Sequence, residues 1–388
     1  MTIFSALKSD LHKSINRRMH GLWYPREAMV PTGCNPEASA HIIPPALLKA
    51  ASKLYEKGLQ RDQAKLLKKR VKLPVPVISI GNLSMGGTGK TPLTIWMCEF
   101  LLKTGFHPAV LTRGYGRRGK NSARLPSAGD QGELSYLFGD EPVMISSYMP
   151  KAPVWVGRDR AISGKAALAA GGVDVLVLDD GFQHLSLERD LDVVLLDCRS
   201  PLGNGCVLPA GPLREPVSNL KRADVFVLTR ADRDIDSAPL KDTLRSLFRG
   251  VPVFACRHAV KGITLKKGAP LFDLDSFLDR RVVVFAGIAR PELFFADLRK
   301  TGMDICKTLS FPDHHRYSAA DFSMIFRAAS EHDAEVIITT AKDSARIPLP
   351  YRGAFAVAEI GIDFGADRQG FCDLTIRSIG WVPPVSAP

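Results

Sequence analysis

Lys90 and Thr91 follow Gly86, Gly87, Thr88 and Gly89 in the string Val77-Ile-Ser-Ile-Gly-Asn-Leu-Ser-Met-Gly-Gly-Thr-Gly-Lys-Thr-Pro92. A glycine bend followed by a lysine and a hydroxyl suits a polyphosphate: free backbone N–H groups face the anion, the lysine reaches the β and γ phosphates, and the threonine hydroxyl ligates Mg²⁺. The strict pattern G-x-x-x-x-G-K-[ST] would place glycine at 84, where this chain has Ser84, so the segment is a variant P-loop. The plainer alternative is a glycine-rich turn whose lysine faces solvent. Downstream, the apolar run Val173 to Leu178 ends in Asp179-Asp180-Gly-Phe-Gln-His184. A buried strand ending in aspartate after a P-loop is the arrangement in which a carboxylate holds Mg²⁺ directly or through water. Gly139-Asp-Glu-Pro142 sets two carboxylates at a loop or helix start, and Ser310-Phe-Pro-Asp-His-His-Arg-Tyr317 gathers an aspartate and two histidines. That last cluster suits acid/base work or a metal, though no further ligands stand at the usual spacing; a solvated surface loop is the alternative.

The elements that must position these groups alternate. The β-branched run Val75 to Ile80 reads as a buried strand, and Pro92 fits the first turn of the helix that Lys90 opens. Ala109–Thr112, Val154–Val156, Val173–Leu178, Leu191–Leu196 and Ala223–Leu228 read as further strands, with a basic glycine-rich loop Arg113 to Lys120 at the end of the first, where ligands bind in open α/β sheets. This predicts an α/β chain with a P-loop NTPase-like, doubly wound, mostly parallel sheet over residues 73–250. The alternation restarts in a smaller α/β C-terminal domain, 251–388, with strands at Arg281–Ala286, Val336–Thr340 and Ala354–Ile360 and helices at Pro291–Thr301 and Ala319–His332.

The first 72 residues differ in character. Residues 1–73 hold fourteen Lys and Arg against five Asp and Glu, most of the chain's net charge of +12. Helices are expected at Ser5–Met19 and Pro45–Arg70, joined by a loop. In the second, Leu47, Leu48, Ala51, Leu54, Tyr55 and Leu59 recur at helical spacing, while Lys49, Lys53, Lys57, Arg61 and Lys65 form an i, i+4 series of one sign. Like charges at that spacing disfavour an isolated helix, which suggests an anionic membrane surface alongside, or else a solvated face packed on the core. Hydrophobic content of 45% with 24% charged residues is that of a globular chain. Seven scattered cysteines without a C-x-x-C pair argue for a reducing compartment, and no run reaches the ~20 apolar residues of a membrane span.

Residues Val77 to Pro92, Gly139 to Pro142, Asp179 to His184, Leu208 to Glu215, Phe311 to His314 and Thr339 to Asp343 together resemble the tetraacyldisaccharide 4′-kinase family of the lipid A pathway, over about Leu73 to Ile379. The resemblance implies Mg·ATP-dependent phosphorylation of the 4′-hydroxyl of an acylated glucosamine disaccharide 1-phosphate, at the cytoplasmic face of the inner membrane. It implies ATP and Mg²⁺ as cofactors, Lys90 on the β and γ phosphates, and Thr91 and Asp180, with Glu215, around the metal. Asp140 would be the catalytic base and His314 would orient it from across an interdomain cleft. Arg160, His184 and Arg214 match motif positions as candidate substrate contacts. Ala341 stands where the family more often has glutamate. No nucleic acid and no obligate protein partner are implied.

Two other readings compete. A P-loop GTPase or ATPase serving as an assembly or metal-delivery factor is suggested by Thr229-Arg-Ala-Asp232, where only the aspartate matches the guanine-reading Asn-Lys-x-Asp motif. A nucleic-acid module is suggested by the basic N-terminus, which lacks the interleaved aromatics that stack bases.

Overall fold

The computed structural model describes residues 44–115, 117, 122–127, 129, 131–232, 236–265, 271–313 and 315–380. The helix expected at Ser5–Met19 and the candidate His314 lie outside the described residues. The chain enters through helix α1 (Pro45–Lys68) and reaches β1 (Val77–Asn82), buried at every position. There follow α2 (Lys90–Lys103), β2 (Pro108–Thr112), β3 (Ala123–Arg124), α3 (Gln131–Phe138), α4 (Asp140–Tyr148), β4 (Val154–Val156), α5 (Arg160–Ala169), β5 (Val175–Asp179), β6 (Leu191–Asp197), β7 (Val225–Thr229), α6 (Ala238–Leu247) and β8 (Val253–Ala255). They build an eight-stranded sheet in the order β3-β4-β2-β5-β1-β6-β7-β8. Every pairing is parallel except β3 on β4.

Parallel strands covered on both faces explain the near-continuous apolar runs read from the sequence. On one face Leu93, Met97 and Leu101 of α2 bury against Val110, Val177 and Val193; on the other, Ala161 and Ala167 of α5 bury against Leu111, Leu176 and Leu178. Each such Leu or Val contributes about 1.5–3 kcal/mol by leaving water. In register, Ile80 lies beside Asp179 of β5 on one side and Val193 of β6 on the other. The P-loop and the Asp179-Asp180 turn therefore leave the sheet as neighbours, at the carboxyl ends of the strands where open α/β sheets bind ligands.

A second sheet is formed by β9 (Arg257–Thr264), β10 (Arg281–Ala286), β11 (Asp304–Ser310), β12 (Val336–Thr340) and β13 (Ala356–Asp363), in the order β11-β10-β12-β13-β9. Helices α7 (Pro291–Arg299), α8 (Ala319–Glu331) and the short α9 (Ala341–Ser344) connect its strands. Two of these strands, β9 and β11, have no counterpart in the sequence reading. Both lie at the sheet's edges, where half-solvated positions accept Arg, His, Lys and Thr and leave no apolar run to detect. The two sheets meet at Cys256, so the first extends past residue 250. The final helix, α10 (Arg368–Ser378), returns to the first sheet, where Phe371 stacks on Phe364 at 4.7 Å and meets Trp96 and Phe254, each at 5.6 Å.

α1 is the helix expected at 45–70, but its faces divide differently from the expected stripe. Leu48 and Ser52 are buried, Ser52 donates to the Val207 carbonyl at 3.0 Å, and the Tyr55 hydroxyl donates to the Arg214 carbonyl at 2.9 Å. Leu47 and Leu54, counted with the apolar face from sequence, are 61% and 69% exposed. The helix thus packs on the protein with a polar-aromatic face and presents leucines alongside Lys49, Lys53 and Lys57 to the outside.

Candidate active site

The P-loop is shaped by Gly89, whose φ of +89° ends the bend as the N-cap of α2. L side chains rarely adopt that angle, and a Cβ there would lie 2.6 Å from the His258 Nε2. Gly86 and Gly87 are exposed, whereas Thr88 is buried with its hydroxyl unpartnered. The N–H groups of Gly87, Thr88 and Gly89 make no hydrogen bond among the described residues, as an anion cradle requires. The start of the loop is pinned by the segment after it in space: Met85 N–H donates to the Pro212 carbonyl at 2.7 Å and Arg214 N–H to the Leu83 carbonyl at 2.8 Å.

That pinning delivers Arg214 to the turn beyond β5. Its guanidinium grips both oxygens of Asp180 at 2.9 Å and also donates to the Asn82 carbonyl at 2.8 Å and to the Asn82 side chain. Lys90 Nζ donates to Asn82 Oδ1 at 3.0 Å and stands 3.6 Å from Asp180. Burial alone would raise the pKa of Asp180; Arg214 and Lys90 more than offset it, so the carboxylate stays charged, well below its ordinary range. Asp180 also has a φ of +53°, a left-handed conformation that turns its side chain away from its neighbour's. The neighbour, Asp179, is buried and accepts from the hydroxyls of Thr94 at 3.0 Å and Thr112 at 3.4 Å, and burial pushes its carboxyl up.

Guanidinia collect on the β2 and β4 side. Arg160, at the start of α5, is buried with its Nε unpartnered; burial, and to a lesser degree the like charge of Arg113, lowers it to about 10. Burial and then Arg158 lower Arg113 likewise. Of the three residues expected to contact substrate, Arg160 and Arg214 thus both interact with Asp180, one through space and one by direct bonds. His184 serves the scaffold instead. Its Nε2 accepts from the Arg160 N–H at 3.2 Å and lies 3.0 Å from the Ser186 hydroxyl, anchoring the start of α5. Burial, then Arg160, push its pKa down to about 4, so the ring is neutral.

Asp140 opens α4 behind Gly139, whose φ of +99° brings it against the Arg113-Gly114-Tyr115 backbone, with a Cβ there only 2.8 Å from the Tyr115 carbonyl. Its Oδ2 accepts from Arg346 Nε of the second sheet's unit at 2.7 Å. Arg346, 5% exposed, also donates to the Gly287 carbonyl at 3.0 Å and to Asp343 at 3.2 Å. Lys342 joins the same seam, 3.9 Å from Glu141 and 3.7 Å from Asp313. The second histidine of the pair, His315, stacks on Phe311 and bonds Asp321 at 3.1 Å, a packing role.

Glu215, expected beside the metal, is held by protein partners through one of its oxygens. It is fully buried, and its Oε2 accepts from Gln63 and Asn219 at 2.7 Å and from Arg222 at 2.8 Å, tying α1 to the loop before β7. That oxygen anchors α1, while Oε1 is buried without a hydrogen-bond partner. Asp232, the residue that suggested guanine reading, is likewise engaged, by Arg199 at 2.8 Å and Lys300 at 3.0 Å. Asn82 and Arg346 went unassigned from sequence, although Asn82 lay inside the P-loop string; Arg113 lay in the basic loop expected at a ligand-binding position. No cluster of three or more His, Cys, Asp or Glu that could hold a metal occurs among the described residues. A magnesium ion needs none, because it keeps its waters and the phosphate oxygens and takes only one or two protein oxygens. Asp180 and Thr91 suit that donor set.

The family model for tetraacyldisaccharide-1-P 4′-kinase matches residues 45–375. The tetraacyldisaccharide 4′-kinase of Syntrophobacter fumaroxidans is 41% identical over 359 residues, 92% of each chain, and that of Syntrophus aciditrophicus is 41% identical over 83% of this chain and 90% of the relative. A crystal structure of LpxK from Aquifex aeolicus in complex with ATP superposes with a TM-score of 0.69 at 30% identity, over 86% of this chain and 99% of that one. With a P-loop, a paired-aspartate turn and the Gly-Asp-Glu-Pro corner in one cleft, the chain belongs to the tetraacyldisaccharide-1-P 4′-kinase family.

Proposed function

We propose that this kinase transfers the γ-phosphoryl group of Mg·ATP to the 4′-hydroxyl of a tetraacylated glucosamine disaccharide 1-phosphate, giving lipid IVA, at the cytoplasmic face of the inner membrane. The observation that carries the reading is the convergence, at the carboxyl ends of the central strands β1 and β5, of free P-loop amides, Lys90 and Asp180, with Asp140 at the start of α4 beside the loop that follows β2. Thr91 and Asp180 would hold Mg²⁺, which when bound would neutralise phosphate charge. Lys90 exchanges its present partners, Asn82 and Asp180, for the β and γ phosphates. Asp140 accepts the proton of the sugar hydroxyl, a poor nucleophile until a carboxylate lies within about 3 Å of it. In that step His314 orients Asp140, the role the family resemblance implies for it. Arg113, Arg158 and Arg160 crowd like charges whose repulsion an anionic substrate group relieves, which favours that pocket for a phosphate of the lipid.

The acyl chains remain in the bilayer, so the enzyme works at its surface. No helix among the described residues is long and apolar enough to cross a membrane. The outward Leu47 and Leu54 of α1, flanked by Lys49, Lys53 and Lys57, support docking on anionic head groups, each lysine adding about 1 kcal/mol. Incubation with γ-labelled ATP and the tetraacylated disaccharide 1-phosphate tests the reading: the lipid should acquire the label at the 4′ position, and ATP consumption without a labelled lipid would refute it.

A further inference from the structure

The side of the P-loop turned away from the phosphate cradle is held by side chains that the transfer step does not use. Asp197, at the end of β6, accepts from Arg230 Nη1 at 2.5 Å and from Arg290 Nη2 through the same oxygen. Both guanidinia also donate to the Gly87 carbonyl, Arg230 at 3.1 Å and Arg290 at 3.3 Å. Burial alone would raise the Asp197 carboxyl; the two arginines more than offset it and hold it lowered, so the hub is charged at neutral pH. Arg230 follows β7 with a φ of +56°, strained for a non-glycine residue and sustained by these contacts. Arg290 comes from the other unit, as the N-cap of α7. His258, on β9, is a second residue that this unit brings to the P-loop, its Nε2 buried without a partner against Gly89.

The peptide bond is planar and trans, so the Gly87 carbonyl and the Thr88 N–H, which share one peptide unit, point in opposite directions. Pinning the carbonyl from outside aims the Thr88 N–H inward, where it has no partner among the described residues. Glycines at 86 and 87 leave that peptide free to rotate at little cost unless something holds it. We infer that Arg290, with Arg230 and Asp197, is a positioning device that presets the 87–88 peptide for the phosphates of ATP, making nucleotide affinity depend on how the second sheet's unit is docked. This rests on the ATP-dependent reading above.

Binding of a fluorescent ATP analogue to the full chain tests it, alongside KM values for ATP and for the lipid and the melting temperature. Arg290→Ala should raise the analogue's Kd about tenfold, the loss of roughly one charge-assisted hydrogen bond. KM for ATP should follow, while KM for the lipid stays within about twofold, because the Gly87 carbonyl and Asp197, from which Arg290 is removed, both lie on the nucleotide side. Arg290→Lys, which keeps the charge but has no fork to reach both acceptors, should recover part of the loss. Combining Arg290→Ala with Asp197→Asn should cost less than the sum of the two, as expected of groups acting as one unit. An unchanged Kd for Arg290→Ala would overturn the inference, as would equal losses toward ATP and lipid with a lowered melting temperature. Failure of the unaltered protein to bind the analogue would instead remove the nucleotide reading itself.

Discussion

Replacing Asp140 by asparagine separates chemistry from scaffolding, because this carboxylate has a measurable structural contact as well as its proposed role. Asp140 accepts from Arg346 Nε at 2.7 Å, with the two side chains 18% and 5% exposed. An asparagine still offers an oxygen to that guanidinium but forfeits the charge, and Arg346 keeps Gly287 and Asp343, so the stability cost should be about 1–3 kcal/mol and the melting temperature should fall by a few degrees. Loss of a general base costs about 10²–10⁴ in kcat, or roughly 3–5 kcal/mol of transition-state stabilisation. The catalytic deficit should therefore exceed anything unfolding explains. Turnover measured with γ-labelled ATP and the lipid should drop within that range while ATP-analogue affinity stays within about twofold, as expected of a group that acts on the sugar hydroxyl rather than on the nucleotide. Arg346→Met removes the pair from the other side but leaves the carboxylate; it also takes the donor from Gly287 and the buried Asp343, so it should lower stability more and turnover far less. An Asp140→Asn enzyme retaining more than about a tenth of normal kcat would refute the base assignment.

Three further outcomes are expected. Gly89→Ala should abolish ATP-analogue binding through a strained φ and a clash with His258, and His258→Ala in the same chain should restore part of it; a normal Kd for the single variant would contradict the described loop geometry. Glu215→Gln should destabilise the fold by about 1–3 kcal/mol in urea titrations without altering the magnesium concentration for half-maximal activity; a large rise in that concentration would return Glu215 to the metal shell. His184 titrates near 4 in the folded protein against about 6.5 when unfolded. The unfolded chain therefore binds a proton first, and stability present above pH 6.5 should be lost as pH falls toward 4, by up to about 3 kcal/mol. His184→Gln should flatten that slope, and an unchanged slope between pH 6.5 and 4.5 would place its origin elsewhere.

The parts of this architecture that were readable from sequence are those fixed by short-range patterns. The strands β10 and β12 and the start of α2 were expected at the observed residues, because buried parallel strands write apolar runs and Gly-Lys-Thr marks a helix start. The proximity of Lys90 to Asp180 followed from the same pattern, a P-loop strand beside an aspartate-ended strand. What escaped notice is set by tertiary contact. Nothing local in Arg346 or Arg290 signals that each crosses from one unit to the other, and both read as ordinary surface charges. The protein partners of Glu215 were not legible for a related reason: the backbone there turns Arg214 toward Asp180 and Glu215 toward Gln63 of α1, far away in sequence. Periodicity grouped Leu47 and Leu54 with Leu48 and Tyr55 on one stripe, yet the surface under α1 accepts Leu48, Ser52 and Tyr55 and leaves Leu47 and Leu54 exposed.

The two cross-unit arginines have one consequence when taken together. Arg290 reaches the nucleotide side of the cleft at Gly87 and Asp197, and Arg346 reaches the acceptor side at Asp140. Any displacement of the second sheet's unit must strain or break both sets of contacts, so the phosphate cradle and the proposed base are completed by the same movement. An enzyme that assembles both halves of its site together exposes ATP to water least when no sugar hydroxyl is in place. If that coupling operates, loosening either arginine contact should raise ATP hydrolysis in the absence of lipid relative to lipid phosphorylation, and Arg290→Ala and Arg346→Met should show this in the same direction despite acting on opposite ends of the cleft. A rise confined to one variant would mean that the two contacts report on separate motions.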